Sequence, residues 1–530
     1  MSASVKSAGA THASQGNLTA SVGKNTAYGI IASLFQVGTR LVTIPIVIYH
    51  LGLAGYGIWS IIMTAAMYMR FGSSGIKSAF QKYVAEATGN EDYDAASRLL
   101  STGSAAMAIV SVAGLVPVMI FSRPLARAAG VPPRFLHDAA MAFSVLALTM
   151  LFANSAAAYE GIVLGGHRID VARKINTILT VAEAAAIITV LHFGYGLFAM
   201  SCVMAASELI YLICCYAMAH RIVPQIHVAV KYLTTTVWRE LLTYTGSYQL
   251  VSMLETIYAV LISVVVLRAF GADSAGVYAV ANRLVQPVGL CQNAFLIPIL
   301  SSGAMVCAAG QSDRVRRLVS KSFKVTLALA LTPLALIAIF GPYIVEAWTG
   351  STDASFHYAI WLICLASFFG QVSSVALILY RAAGGALMDM IRQIFRVAAL
   401  VPFLFISHSL GFERVLAWIV VVEFVAMVLM LISLAKSLHV FTARLVMPDF
   451  LRLLVATAAV MAIAALAAHA FSGMDFSSRM LAAVKAGAAC LAALIVAYPV
   501  YSLTGAVTGS EIASILRVVR GSKSANAAIQ

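Results

Sequence analysis

The sequence predicts an all-α polytopic membrane protein of about 14 transmembrane helices, built as two parallel six-helix lobes plus two C-terminal helices. Three observations predict it. Of 530 residues, 61% are hydrophobic and only 11% charged, with a mean hydropathy of +0.91, whereas a water-soluble domain carries about 25% charged residues. The basic residues sit in short clusters between apolar runs close to the roughly 20 residues that one span needs. The two halves also match each other at a single offset of 219 residues. This composition excludes a soluble enzyme. A formal charge of +14 distributed in this way marks membrane-protein loops and not a nucleic-acid surface, so no nucleic acid partner is expected.

Residues 1–24 are rich in Ser, Ala, Gly and Thr, lack the apolar centre of a signal peptide, and read as a disordered cytoplasmic tail. Spans follow at 26–49, 55–76, 99–121, 138–159, 175–193 and 196–218, which form an N-lobe over 25–218. A cytoplasmic linker covers 219–240. The C-lobe, 241–435, holds spans at 241–267, 274–300, 322–345, 357–380, 391–409 and 413–435. Residues 436–503 supply a loop and the last two spans, 450–471 and 481–503, and a cytoplasmic tail closes the chain at 504–530. With the N-terminus inside, most of the 35 Lys and Arg fall on inner segments, Arg381, Arg392 and Arg396 among them. Only Arg123, Arg127, Arg134, Arg268, Arg414, Arg479 and Lys485 fall outside. Both termini are therefore expected in the cytoplasm.

The internal repeat needs no gap. Gly52 and Gly57 pair with Gly271 and Gly276 at outer turns, and Asp94 and Arg98 pair with Asp313 and Arg317 in an inner loop. Gly165, Gly166, Asp170 and Arg173 pair with Gly384, Gly385, Asp389 and Arg392 in the next inner loop. Matched Asp, Arg and Gly carry weight that apolar matches lack in so apolar a chain. A repeat of six helices preserves orientation, so the lobes are related by an axis along the membrane normal, with a site between them near the midplane. The last two helices have no partner in the repeat and read as an appendage.

A charge at a helix centre costs about 2.5–3.5 kcal/mol on insertion scales, so it usually faces a cavity or a partner. Arg40 shares one face of the first helix with Ser33, Gln36 and Thr43. Ser252 and Glu255 repeat Ser33 and Gln36 on the seventh helix, while Arg283 lies with Asn282, Gln286, Gly289 and Asn293 on the eighth. Arg70 falls near the inner end of the second. The candidate substrate-binding residues are thus Arg40, Arg283, Arg70, Gln36, Asn282 and Gln286, with Glu255 as the ion-coupling candidate. Structural hydrogen bonding between helices is the competing reading for each, and it is the preferred one for Glu183, Glu208 and Glu423.

Other chemistry is missing from the sequence. The seven cysteines form no C-x-x-C and read as buried small hydrophobes. There is no phosphate-binding G-x-x-x-x-G-K-[ST] and no H-E-x-x-H, so no ATP, cofactor or metal is expected and no catalytic residue is assigned. Asp92-Tyr93-Asp94 spells a D-x-D, but its position at a helix start favours capping.

Residues 25–101 resemble the opening of the polysaccharide flippases of the multidrug/oligosaccharidyl-lipid/polysaccharide exporter superfamily. The matching elements are the helix starting at Asn25 with Pro45 inside it, the turn Leu51-Gly52-Leu53-Ala54-Gly55-Tyr56-Gly57, and Lys82-Tyr83-Val84-Ala85. Gly271, Gly276-Val277-Tyr278-Ala279-Val280-Ala281-Asn282-Arg283-Leu284 and Pro298 match in the second half. Where these flippases commonly carry an acidic residue, this chain has Arg70-Phe71-Gly72. The resemblance implies a non-enzymatic transporter of the bacterial inner membrane. It would flip a polyprenyl-diphosphate-linked oligosaccharide to the periplasmic leaflet by alternating access, for surface polysaccharide biosynthesis. The implied partners are that lipid-linked substrate, membrane lipids, and polysaccharide polymerase or export machinery. Arginine forks suit a diphosphate. A multidrug or lipid-linked peptidoglycan-precursor exporter of the same superfamily, or a membrane-embedded glycosyl or acyl transferase, are the alternatives.

Overall fold

The computed structural model describes residues 35, 38, 39, 41–65, 80, 84, 92–165, 168–308, 312–383, 387–438, 443–470 and 478–504. Gln36, Arg40, Arg70 and the tails at 1–24 and 505–530 lie outside the described residues. In lipid each backbone N–H and C=O must find its partner inside the chain, which leaves helices as the local solution for an apolar sequence. The described elements are α1 (Leu41–Ala65), α2 (Tyr93–Ala128), α3 (Pro133–Gly165), α4 (Ile169–His192), α5 (Leu197–Ile222), α6 (Thr235–Ala308), α7 (Ser312–Thr349) and α8 (Ser355–Ala382). They continue with α9 (Leu387–Leu400), the short α10 (Phe403–Ile406), α11 (Phe412–Leu438), α12 (Ala443–His469) and α13 (Ser478–Leu503). Among the described residues, 11 helices are long and apolar enough to cross a membrane. The protein is an all-α polytopic membrane protein.

Two of these helices fold back on themselves. Gly271 interrupts α6 with φ 84° and ψ 179°. In a straight helix Glu255 and Asn293 would stand about 57 Å apart, yet both line one cavity, so α6 folds back at Gly271. Gly52, with φ 71°, does the same in α1, whose two arms share another cavity. Only glycine takes this left-handed conformation without a Cβ penalty, which is why these two repeat-matched glycines make the turns. Each of the 14 expected spans overlaps one of these helices or arms. The span expected at 391–409 needs correction: α9 begins at Leu387 and ends at Leu400. Pro402, which lacks the N–H that a continuing helix requires, divides it from α10.

Helices α2 to α5 pack on one another, as do α6 to α9 and α11, and α2 touches α6. At the end that carries Gly52 and Gly271, a single apolar core joins both lobes, running from Ile44, Tyr56 and Trp59 to Tyr258, Val277 and Leu416. Towards the opposite end the core splits. One part surrounds Phe80, Leu100 and Ile162 in the first lobe, and another surrounds Phe323, Val375 and Leu434 in the second. The lobes are therefore fused at the turn end and separately packed at the other.

The segment linking the lobes is strapped to α2. The backbone N–H groups of His227, Ala229 and Thr234 donate to Ser97 Oγ, Ser101 Oγ and Thr102 Oγ1 at 3.1, 3.0 and 3.1 Å. Helices α12 and α13 pack on α7, where Thr332 hydrogen-bonds both Thr457, at 3.0 Å, and Tyr501. Asp92 caps α2 by accepting from the Ala95 N–H at 3.0 Å, so this part of the D-x-D is a capping group. The seven cysteines are free. Cys215 and Cys364 are buried as expected, but Cys291 is exposed on the protein surface.

Candidate functional site

Among the described residues, two cavities stand out between the helices. The first, about 410 Å³, lies between both arms of α1 and helices α4 and α5. Its polar lining includes Thr43, Asn176, Glu183, Ser207 and Glu208. The second, about 580 Å³, lies between both arms of α6 and helices α8, α9 and α11. Arg283 lines both. It is half-buried, and its guanidinium donates to Gln286 Oε1 at 3.0 Å. Among the described residues no carboxylate lies within ion-pair distance of it.

The stripe expected on the eighth span does share a face. Asn282, Arg283, Gln286, Gly289 and Asn293 all border the second cavity, because i, i+3, i+4 and i+7 spacings stack along one side of a helix. Glu255 borders it from the opposite arm of α6. The structure thus brings together Arg283, Asn282, Gln286 and Glu255, whereas Arg40, Arg70 and Gln36 fall outside the described residues.

Two arginines placed on inner segments by the sequence belong here instead. Arg392 is buried and Arg396 largely so in α9, and both line the second cavity. Arg396 Nε donates to Glu423 Oε1 at 3.0 Å, its Nη1 to Gln393 Oε1 at 2.8 Å, and its guanidinium lies 3.9 Å from the centre of the Tyr258 ring. Asp389 pairs with Arg381 and, at 3.4 Å, with Arg392, whose Nη1 also reaches Ser373 Oγ. The signal was available. Both arginines lie within the span expected at 391–409, where the insertion cost that singled out Arg40 and Arg283 applies equally. Arg173, the repeat partner of Arg392, is exposed, and Asp170, the repeat partner of Asp389, pairs with Arg168 at 3.4 Å. The same sequence motif is a surface feature in one lobe and a buried network in the other.

The glutamates differ as well. Glu423 bonds between helices as expected, accepting from Arg396 of α9, and does so within an ion pair. Glu183 and Glu208 line the first cavity, and both engage partners. The arrangement amounts to two polar cavities in an apolar body, with Arg392, Arg396 and Glu423 held in ion pairs and one cation, Arg283, common to both.

The family model described as polysaccharide biosynthesis protein matches residues 22–304, over half of the chain. The chain belongs to the polysaccharide biosynthesis protein family. No curated protein sequence matches it significantly. The structure of this family member is similar to an inward-facing multidrug resistance MATE transporter of the MOP superfamily, with TM-score 0.62 and 16% identity over 76% of this chain and 98% of that one. It is similar to the lipid II flippase MurJ in an inward closed conformation, with TM-score 0.64 and 14% identity over 89% of this chain and 99% of that one. A MOP superfamily transporter from Pyrococcus furiosus gives TM-score 0.58 and 14% identity over 79% and 95%. At such identities the likeness is one of fold. The family match covers α1 to α5 and most of α6, and so includes Arg283 and Glu255.

Proposed function

We propose that this protein flips a polyprenyl-diphosphate-linked oligosaccharide from the cytoplasmic to the periplasmic leaflet of a bacterial inner membrane, by alternating access. The observation that carries the reading is Arg283: the one cation shared by both cavities, without a described carboxylate to neutralise it, in a member of a polysaccharide biosynthesis family. A diphosphate needs such a cation, and a guanidinium fork binds it through two oxygens. The polar cavity walls suit a saccharide. The likeness to MOP superfamily transporters, the lipid II flippase among them, supports moving a substrate over transforming it. The shared core at one end and the split cores at the other supply a cleft that opens to one leaflet at a time.

In this reading both termini are cytoplasmic, the lobes are 25–218 and 241–435, and Arg40, Gln36 and Arg70 extend the path that Arg283, Asn282 and Gln286 line. Glu255, beside the Arg392 and Arg396 pairs, couples transport to an ion gradient. Polysaccharide polymerase or export machinery receives the product. A second reading, multidrug export, draws on the carboxylates of the first cavity, but Glu183 and Glu208 are already engaged. One assay separates the two. A deletion strain should accumulate undecaprenyl-linked oligosaccharide on the inner leaflet, and the wild-type gene, but not an Arg283→Ala gene, should clear it. Normal clearance in the deletion strain refutes the flippase reading.

A further inference from the structure

Pro45 has no N–H, so the carbonyl of Leu41, four residues earlier in α1, has no donor within its own helix. In an apolar span such a carbonyl must be satisfied from elsewhere. Here the donor comes from the other lobe: Trp348 Nε1, in the last turn of α7, donates to Leu41 O at 2.6 Å. Trp348 is itself held in place. Its carbonyl and that of Ala347, which end α7 without helical partners, accept from Arg479 Nη2 and Nε at 3.3 and 3.1 Å. Gly350 ends α7 with φ +74°, and the Arg479 guanidinium packs 3.6 Å from where a Cβ would stand. Arg479 lies in the first turn of α13. A continuous series of bonds thus runs from the appended helix, through the end of α7, to the proline-interrupted helix of the first lobe.

We propose that Trp348 and the Leu41 carbonyl form an inter-lobe latch, positioned by Arg479, that holds the lobes together at the Gly52 and Gly271 end. When the lobes part there, the bond breaks, and water entering the cleft replaces the indole as donor. The latch rests on the alternating-access reading only in requiring the lobes to separate, and it is tested without substrate. The two helices outside the repeat thereby gain a function, since α13 fixes how tightly this end closes.

The experiment is a distance measurement by electron paramagnetic resonance in lipid nanodiscs. Spin labels carried on non-natural amino acids at His137 and Thr352, one exposed site in each lobe, leave the native cysteines in place. Trp348→Phe keeps the ring and removes the donor. It should raise the fraction of molecules with separated labels at least threefold, and an unchanged distribution overturns the latch. Pro45→Ala returns an N–H to the helix. In that background Trp348→Phe should lose at least half of its effect, and an undiminished effect removes the proline carbonyl from the explanation. Should Trp348→Phe fail to reach the membrane, Pro45→Ala alone decides, since an internal donor competing for Leu41 O should itself raise the separated fraction. Arg479→Gln should shift the distribution in the same direction by less. No shift would sever α13 from the latch. Because no transport is read, loss of the flippase reading would leave each of these outcomes interpretable.

Discussion

Gly57 and Gly276, partners at the 219-residue offset, each press on the backbone of the other's helix arm. A Cβ on Gly57 would stand 2.5 Å from the Ala272 carbonyl oxygen, and one on Gly276 would overlap the Leu53 carbonyl oxygen. Leu53 and Ala272 are themselves partners at that offset. The contact is reciprocal, as a two-fold axis between like surfaces demands, so the repeat read in the sequence is a physical symmetry at this point.

Gly57→Ala or Gly276→Ala should therefore wedge the lobes apart. Backbone atoms cannot give way as a flexible side chain would, and overpacking costs about 1–3 kcal/mol. Either variant is expected to melt several degrees lower in detergent. Alanine at the exposed Gly487, which has open space, serves as the control, and equal melting for all three would refute the steric account.

Arg283→Ala should reduce polysaccharide output at least tenfold while the protein remains in the membrane at normal level. Lysine should restore only part of it, because the charge returns without the fork. Asn282→Ala and Gln286→Ala should be milder. Export assays with immunoblotting of membranes check this, and wild-type output from well-expressed Arg283→Ala excludes the residue from the path.

Removing one member of the buried Arg396–Glu423 pair strands the other's charge, which typically costs about 3–5 kcal/mol. Glu423→Leu and Arg396→Met are each expected to melt well below wild type. The double variant, with no charge left to bury, should recover a good part of the loss. A double variant as unstable as the sum of the singles would show that the pair is not coupled.

Glu255→Gln should leave folding unchanged, since the side chain is exposed to the second cavity. If Glu255 couples transport to protons, the variant should lose its dependence on the gradient. Flipping that still collapses with the proton gradient would remove Glu255 from the coupling step.

An impermeant thiol reagent applied to whole cells should reach a cysteine at Thr352 but not one at Arg316, both of which are exposed on the protein surface. Ser101, whose hydroxyl is buried under the 227–229 strap, would report burial and not sidedness. Labelling at 316 would invert the proposed orientation.

Composition, span order and the repeat were legible in the sequence because each depends on one-dimensional quantities: apolar run length, charge between runs, and residues matched at a fixed offset. Gly52 and Gly271 were legible as turns for the same reason, and Arg283 because a charge within an apolar run stands out by its cost. The α9 boundary was harder, since an inner-loop cation and a buried one look alike where a span begins. What only the tertiary structure decided is which side chains meet. It paired Arg396 with Glu423, buried Asp389 while leaving its repeat partner Asp170 at the surface, and set Trp348 against Leu41. In a water-soluble protein a helix's polar stripe would announce its buried face, but here lipid and interior are both apolar. The rotation of each helix is then fixed by packing and by a few polar contacts through space, neither of which is written in the order of residues along the chain.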